Sequence, residues 1–291
     1  MVDSGVLNTI LQTGMLAFTI PIVLLVAWKM RTKKSVVPFF AGVLIFLLFA
    51  QGLETIPHLL FVITDNPISR VVNGNAVIYA LYGGLMAGLF EEIGRFVAFR
   101  FLTKKYPEKE TAVTYGIGHG GIECMMILGV GYIQYYMYGQ LINNGTIDKM
   151  LESLAGDAES QEAFQTLIDS IIHMEKSSCW IAGWERISAL MLHIGLSILV
   201  FQAVKVTQKK YMLWVAVGLH MLADIPAALY QKGVLGLIPT EIIICVYSLA
   251  ILAYGIFVYR DLEGKKEAET VTKSSFHQVA SQRLKDKKKD K

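Results

Sequence analysis

GVLNTILQTGMLAFTIPIVLLVAW, residues 5–28, runs for 24 residues without a charge. A helix needs ~20 mostly apolar residues to cross the hydrocarbon core of a bilayer. The stretch is too long for a signal peptide, and Asp3 is the only charge before it, where a signal peptide carries basic residues. It is therefore expected to be a first membrane span. Further apolar stretches follow at about 36–63, 76–102, 111–138, 179–204, 211–231 and 235–260. The composition agrees: 54% hydrophobic residues, 18% charged residues and a mean hydropathy of +0.47, against ~25% charged residues in an ordinary soluble domain. A soluble enzyme and a disordered chain are both excluded. The three cysteines, Cys124, Cys179 and Cys245, form no CxxC pair, so neither a disulfide framework nor a thiolate zinc site is expected.

The basic residues orient this bundle. Lys29, Arg31, Lys33 and Lys34 follow span 1; Arg100, Lys104, Lys105 and Lys109 follow span 3; Lys205, Lys209 and Lys210 follow span 5. Residues 260–291 hold ten Lys+Arg against six Asp+Glu. Between spans, the opposite side has only Arg70, Lys149, Lys176 and Lys232. The positive-inside rule places the N-terminus outside and the C-terminus in the cytoplasm. The expected protein is all-α and polytopic, with about seven transmembrane helices. Two N-terminal helices (1–75) precede a core of 76–260, and a basic cytoplasmic tail (261–291) follows it. Within the core, the 139–178 connection carries seven acids against Lys149 and Lys176 and should lie outside the cell. Its patterns around Met150–Leu154 and Phe164–Ile172 fit short amphipathic helices of a solvated cap. The Lys285–Lys291 run suits solvent or lipid headgroups. The partner such a chain requires is the lipid bilayer; nothing suggests nucleic acid.

Ionisable groups inside a span are costly and usually face a cavity or one another. Glu91, Glu92 and Arg95 fall in span 3, His119 and Glu123 in span 4, His193 in span 5, and His220 and Asp224 in span 6. Counted from each cytoplasmic end, all lie on the order of 12–21 Å deep at ~1.5 Å per residue. Glu91–Arg95, His119–Glu123 and His220–Asp224 are each spaced i,i+4, so each pair shares a helix face. Four helices thus bring acid–base side chains to one level, and a single polar cavity opening to the cytoplasm is expected among them. Arg95 can pair with one carboxylate, leaving the other free to act as a general base. The glycines at 116, 118, 120 and 121 permit close backbone approach, by a neighbouring helix or by a peptide strand. Glu54, His58 and Glu241 count nearer the outer face, outside the layer. Glu185 and Arg186 count to the outer mouth of span 5 and read as an interfacial pair. These groups would serve a hydrolase or a proton pathway equally.

The ordered strings Glu91-Glu92-Ile-Gly-Arg95, Tyr115-Gly-Ile-Gly-His119 and His220-Met-Leu-Ala-Asp224 resemble the motifs EExxxR, FxxxH and HxxxN. Those motifs mark the CAAX-prenyl protease and bacteriocin-processing (CPBP, Abi) membrane protease superfamily. The fuller EEIGRFVAFR with GIGHGGIE resembles its YhfC branch. The resemblance covers spans 3 to 7 and implies an intramembrane endopeptidase, acting on a membrane-associated peptide or protein in a bacterial plasma membrane. It further implies that Glu91 or Glu92 activates water with His119, while His220 with Asp224 stabilises the oxyanion; Glu123 lies one turn beyond His119 on the same face. Arg95 stands one residue nearer the glutamates than in EExxxR, Tyr115 replaces Phe, and Asp224 replaces Asn. His193 has no counterpart in the pattern. An ionised Asp224 cannot donate to an oxyanion and would rather orient His220.

No cofactor is required by this reading. The alternative is a zinc site of His119, His193 and His220 with a glutamate beside it as base, although no HExxH helix is present. Two non-enzymatic readings also remain. One is a non-catalytic membrane scaffold: the gamma-secretase scaffold subunit resembles this superfamily but keeps histidines without the glutamates, which are present here. A proton-coupled transporter calls for interrupted helices in paired halves, which the sequence lacks.

Overall fold

The computed structural model describes residues 1–154 and 156–262, all helices and connections with no strand among them. The Lys285–Lys291 run and the rest of the tail beyond residue 262 lie outside the described residues. Among the described residues, seven helices are long and apolar enough to cross a membrane: Ser4–Thr32, Val37–Ile63, Ala76–Lys105, Glu110–Asn143, Lys176–Lys205, Thr207–Gln231 and Leu237–Leu262. The chain is a multi-pass membrane protein, and these are its spans 1 to 7.

Local chemistry sets where the spans start. The Asp3 side chain accepts from the Val6 N–H at 3.0 Å and caps span 1. The Asn75 side-chain oxygen accepts from the Val77 and Ile78 N–H groups and caps span 3. Each cap satisfies donors that the first helical turn leaves open. Between spans 2 and 3, Asn66 and Ser69 form a reciprocal capping box at the head of a short helix, Pro67–Gly74. The Arg70 guanidinium grips Asp65 in the same turn at 2.7 Å and holds that carboxyl below its ordinary range. Span 2 is irregular, with wide π-type turns at Phe46–Leu53 and Leu59–Ile63. The extra residue in each wide turn re-aims the side chains that follow.

Glycine sets how closely the spans cross. A Cβ on Gly118 would collide with the Phe39 carbonyl of span 2. One on Gly116 would lie 2.8 Å from the Ile194 Cα of span 5, and one on Gly121 would lie 2.8 Å from the Pro21 ring of span 1. The glycines around His119 are therefore filled by spans 1, 2 and 5. The expectation that they admit a peptide strand is not met, because the helices already occupy that space. Gly84 and Gly88 let span 3 approach the Met221 and Val217 carbonyls of span 6 in the same way.

Two apolar clusters divide the interior. One, including Phe99, Tyr115, Leu196, Leu199, Phe201 and Ala216, fills the half toward the basic connections. The other joins Val6, Ile10, Cys124, Leu128, Ile171 and Cys179 in the half toward the acidic connections. The 139–178 connection does form two helices, Ile147–Ser153 and Ala158–Ile172. It is more than a solvated cap, since Ile168 and Ile171 are buried.

Candidate active site

The polar residues of spans 3 to 6 meet in one place. His119 and His193 have ring centroids 4.8 Å apart, and His193 and His220 lie 5.3 Å apart. Tyr115, one turn before His119, stacks on its ring at 5.9 Å and meets the Phe99 ring at a tilt, 4.7 Å away. Phe46 of span 2 meets the His119 ring edge-on at 5.4 Å. These aromatic walls fix the imidazole's plane.

The two adjacent glutamates face different partners. Glu92 is wholly buried and takes both oxygens to Arg95 Nη1, at 2.6 and 2.7 Å. Arg95 thus pairs at i+3 with Glu92 rather than at i+4 with Glu91. Glu92 Oε1 also meets His220 Nδ1 at 2.7 Å, which turns His220 Nε2 toward Glu91 Oε2 at 3.9 Å and Asp224 Oδ2 at 3.6 Å. Glu91 instead meets His119 Nε2 at 2.8 Å, with His193 Nδ1 3.8 Å away. Three imidazoles therefore surround one Glu91 oxygen. Glu91 lines a cavity of about 150 Å³ shared with Glu123, Arg186, Asp224 and Ser248.

His193 is fixed from both sides. Arg95 Nη2 donates to its Nδ1 at 2.9 Å; a guanidinium can only donate, so this nitrogen accepts. Its Nε2 pairs with Glu123. Glu123 is in turn held by Arg186, whose Nη1 donates to it at 2.9 Å, and Arg186 also binds its neighbour Glu185. Glu185 and Arg186 therefore belong to the site's wall and are not an interfacial pair. Counting from the end of span 5 missed this because a long arginine side chain reaches inward from a shallow Cα.

Glu54 and His58 also depart from the depth count. Glu54 is buried, bonds His58 Nε2 at 3.0 Å, and lines a cavity of about 320 Å³ that reaches Glu91 and Glu123. The wide turns of span 2 re-aim these residues inward, and a regular-helix count has no means of showing that. Glu241 does not line the cavities that Glu91 lines.

The cavities open on a different side from the one expected. Their walls, including His58, Tyr79, Glu185 and Gln231, belong to the span ends nearest the acidic connections. The apolar cluster around Phe99 and Phe201 closes the basic side.

Among the described residues, Glu91, His119 and His193 form a buried group whose donor atoms lie within 4.8 Å of one another. Two imidazoles and one carboxylate are a donor set of the catalytic zinc type. Glu123 behind His193 provides the carboxylate–imidazole pairing that orients metal ligands. The residues present thus fit a metal ion. In this group Glu91 stands where the sequence reading put His220.

Residues 16–247 match the family described as YhfC intramembrane metalloprotease. The chain belongs to the YhfC family. It is 35% identical over 235 residues to a protein of Bacillus subtilis (strain 168) named "Uncharacterized membrane protein YhfC", covering 81% of this chain and 89% of that one. No solved structure matches it. Of the site residues described above, all but Ser248 fall inside the matched segment.

Proposed function

We propose that this chain is an intramembrane endopeptidase, hydrolysing a peptide bond of a membrane-associated peptide or protein in a bacterial plasma membrane. The observation that carries this reading is the Glu91 carboxylate, facing a cavity and surrounded by His119, His193 and His220. The family's description supports the same reaction class.

Glu91, His119 and His193 would hold the metal ion, zinc by the donor set. When bound, such an ion supplies a water of lowered pKa and polarises the scissile carbonyl. The surrounding side chains have separate tasks. Glu123, held by Arg186, lines the cavity as a proton acceptor beside His193. The Arg95–Glu92 pair fixes His220. Its Nε2, turned toward Glu91, can donate to a developing oxyanion. Asp224 orients that nitrogen from the far side.

One observation favours a metal-free variant. Arg95 already occupies the His193 Nδ1 lone pair. In that case Glu91 itself takes the proton from water, with His119 sharing it at 2.8 Å.

The decisive experiment uses purified protein in liposomes with an internally quenched apolar peptide. Metal content is measured on the same sample. Glu91→Gln should remove most turnover in either form: by weakening metal retention in the metal form, and by about 10²–10⁴-fold in the metal-free form, the typical cost of losing a general base. Loss of metal and activity together on chelation, with His193→Ala equally inactive, supports the metal form. A modest His193→Ala effect with no response to chelator supports the metal-free form. Full activity of both Glu91→Gln and Glu92→Gln would sink the peptidase reading and favour a non-catalytic scaffold.

A further inference from the structure

Beside the two cavities that Glu91 lines is a third, mostly apolar crevice of about 370 Å³ between spans 2, 3 and 6. Val62 and Ile63 of span 2, Gly83 of span 3, and Ala227 and Ala228 of span 6 form much of its wall. Asp224 lines both this crevice and the catalytic cavity. His220 Nε2 stands 3.6 Å from the Asp224 carboxylate and 3.9 Å from Glu91. Glu91 and Asp224 thus lie within about two residues of extended peptide, at ~3.3–3.6 Å per residue. At the other end, Tyr79 donates to Gln231 at 3.2 Å, and Lys232 lies 4.2 Å over the Tyr79 ring.

We propose that this crevice is the subsite for a bulky aliphatic side chain of the substrate, next to the scissile bond, and that Gly83 sets its size. The inference rests on the endopeptidase reading and adds a substrate class to it. Span 3 cannot move nearer to span 6, because Gly84 and Gly88 already sit against the Met221 and Val217 carbonyls. The space above Gly83 is open, with no atom within 4 Å of a Cβ placed there. A side chain at 83 therefore projects into the crevice instead of into a neighbouring helix. The choice of an aliphatic over a basic occupant follows from Asp224, whose carboxylate already faces His220 at the inner end. The walls beyond it are mostly apolar, with Val62, Ile63, Ala227 and Ala228 beside the Tyr79 and Tyr82 rings and no further charged carboxylate, although His58 and Gln231 also line it, and each well-buried methylene group strengthens binding.

The test compares wild type, Gly83→Leu and Ala227→Leu in phosphatidylcholine liposomes. Alanine-rich peptides, each with one position varied among Ala, Leu, Phe and Lys, serve as substrates. Wild type should prefer Leu over Ala and Lys at one position within two residues of the cut. Either variant should lower the ratio of kcat/KM for the Leu peptide to that for the Ala peptide about tenfold or more, the scale of discrimination a filled apolar pocket gives. A wild-type preference for Lys there, or a profile unchanged in both variants, overturns the proposal.

A photo-leucine version of the peptide supplies a readout independent of turnover. It should crosslink to residues 79–84 or 224–231 in wild type and lose that crosslink in Gly83→Leu. A crosslink there without hydrolysis defeats the endopeptidase reading but keeps the apolar side-chain site. Hydrolysis with crosslinks elsewhere does the reverse. Capture of those residues by a photoreactive phosphatidylcholine that the peptide cannot displace would make the crevice a lipid site and overturn the proposal.

Discussion

Glu91 and Glu92 are neighbours in sequence and opposites in surroundings. Successive helical side chains point about 100° apart, so one faces the cavity with His119 and the other is sealed against Arg95. Mutation should separate them. Glu91→Gln is expected to remove activity while leaving the fold intact, because an amide keeps the shape. Glu92→Ala leaves the wholly buried Arg95 without its carboxylate, which typically costs ~3–5 kcal/mol. A large fall in detergent unfolding midpoint for Glu92→Ala, and little change for Glu91→Gln, is the expected pair of results. Equal stabilities would contradict this division. The sequence shows two acids and one arginine but does not tell i+3 from i+4 pairing, which rotamers and the His220 contact decide.

At the scale of elements, the crossing of spans 2 and 4 is set by one missing Cβ. Gly118→Ala pushes a methyl into the Phe39 carbonyl, and overpacking of this kind costs ~1–3 kcal/mol. Gly131→Ala, on the same span with nothing within 4 Å of the added methyl, should leave stability unchanged or slightly raised. Thermal unfolding of the two variants in one detergent checks both. The acidic connection gives a further prediction. Ile171 is fully buried against spans 1, 4 and 5, so Ile171→Ala should cost ~2–5 kcal/mol. Turnover per folded molecule should persist, since the 147–172 helices do not line the catalytic cavities. Inactive but fully folded protein would make this connection part of the chemistry. Its amphipathic pattern is legible in the sequence; its burial is not, because a half-apolar helix reads alike whether its face meets protein or headgroups.

For the whole molecule, the side from which the site is reached can be measured. With the basic connections in the cytoplasm, as the positive-inside rule expects, the cavities open outward and the Phe99–Phe201 cluster seals the inner half. In intact cells, Gln231→Cys in a background with Cys124, Cys179 and Cys245 replaced should react with a membrane-impermeant maleimide added outside. A cysteine in place of Lys105 should react only after lysis. The reverse pattern would invert the bundle.

Sequence alone determined the seven spans, because twenty-residue apolar runs have one stable fate in lipid. It also supplied the chemical cast of the site, because charged groups are too costly in a membrane to be placed there without partners. Tertiary structure decided which partners those are. Span 2 carries Glu54 and His58 inward through wide turns that no residue pattern announces. Arg186 reaches Glu123 across two helices and sixty-three residues of chain. The direction of opening followed from which half of the bundle the large apolar side chains fill. Helical periodicity reports a residue's face and depth on its own axis; rotation and tilt of neighbouring axes, set by glycine contacts and side-chain volumes, decide what that face meets.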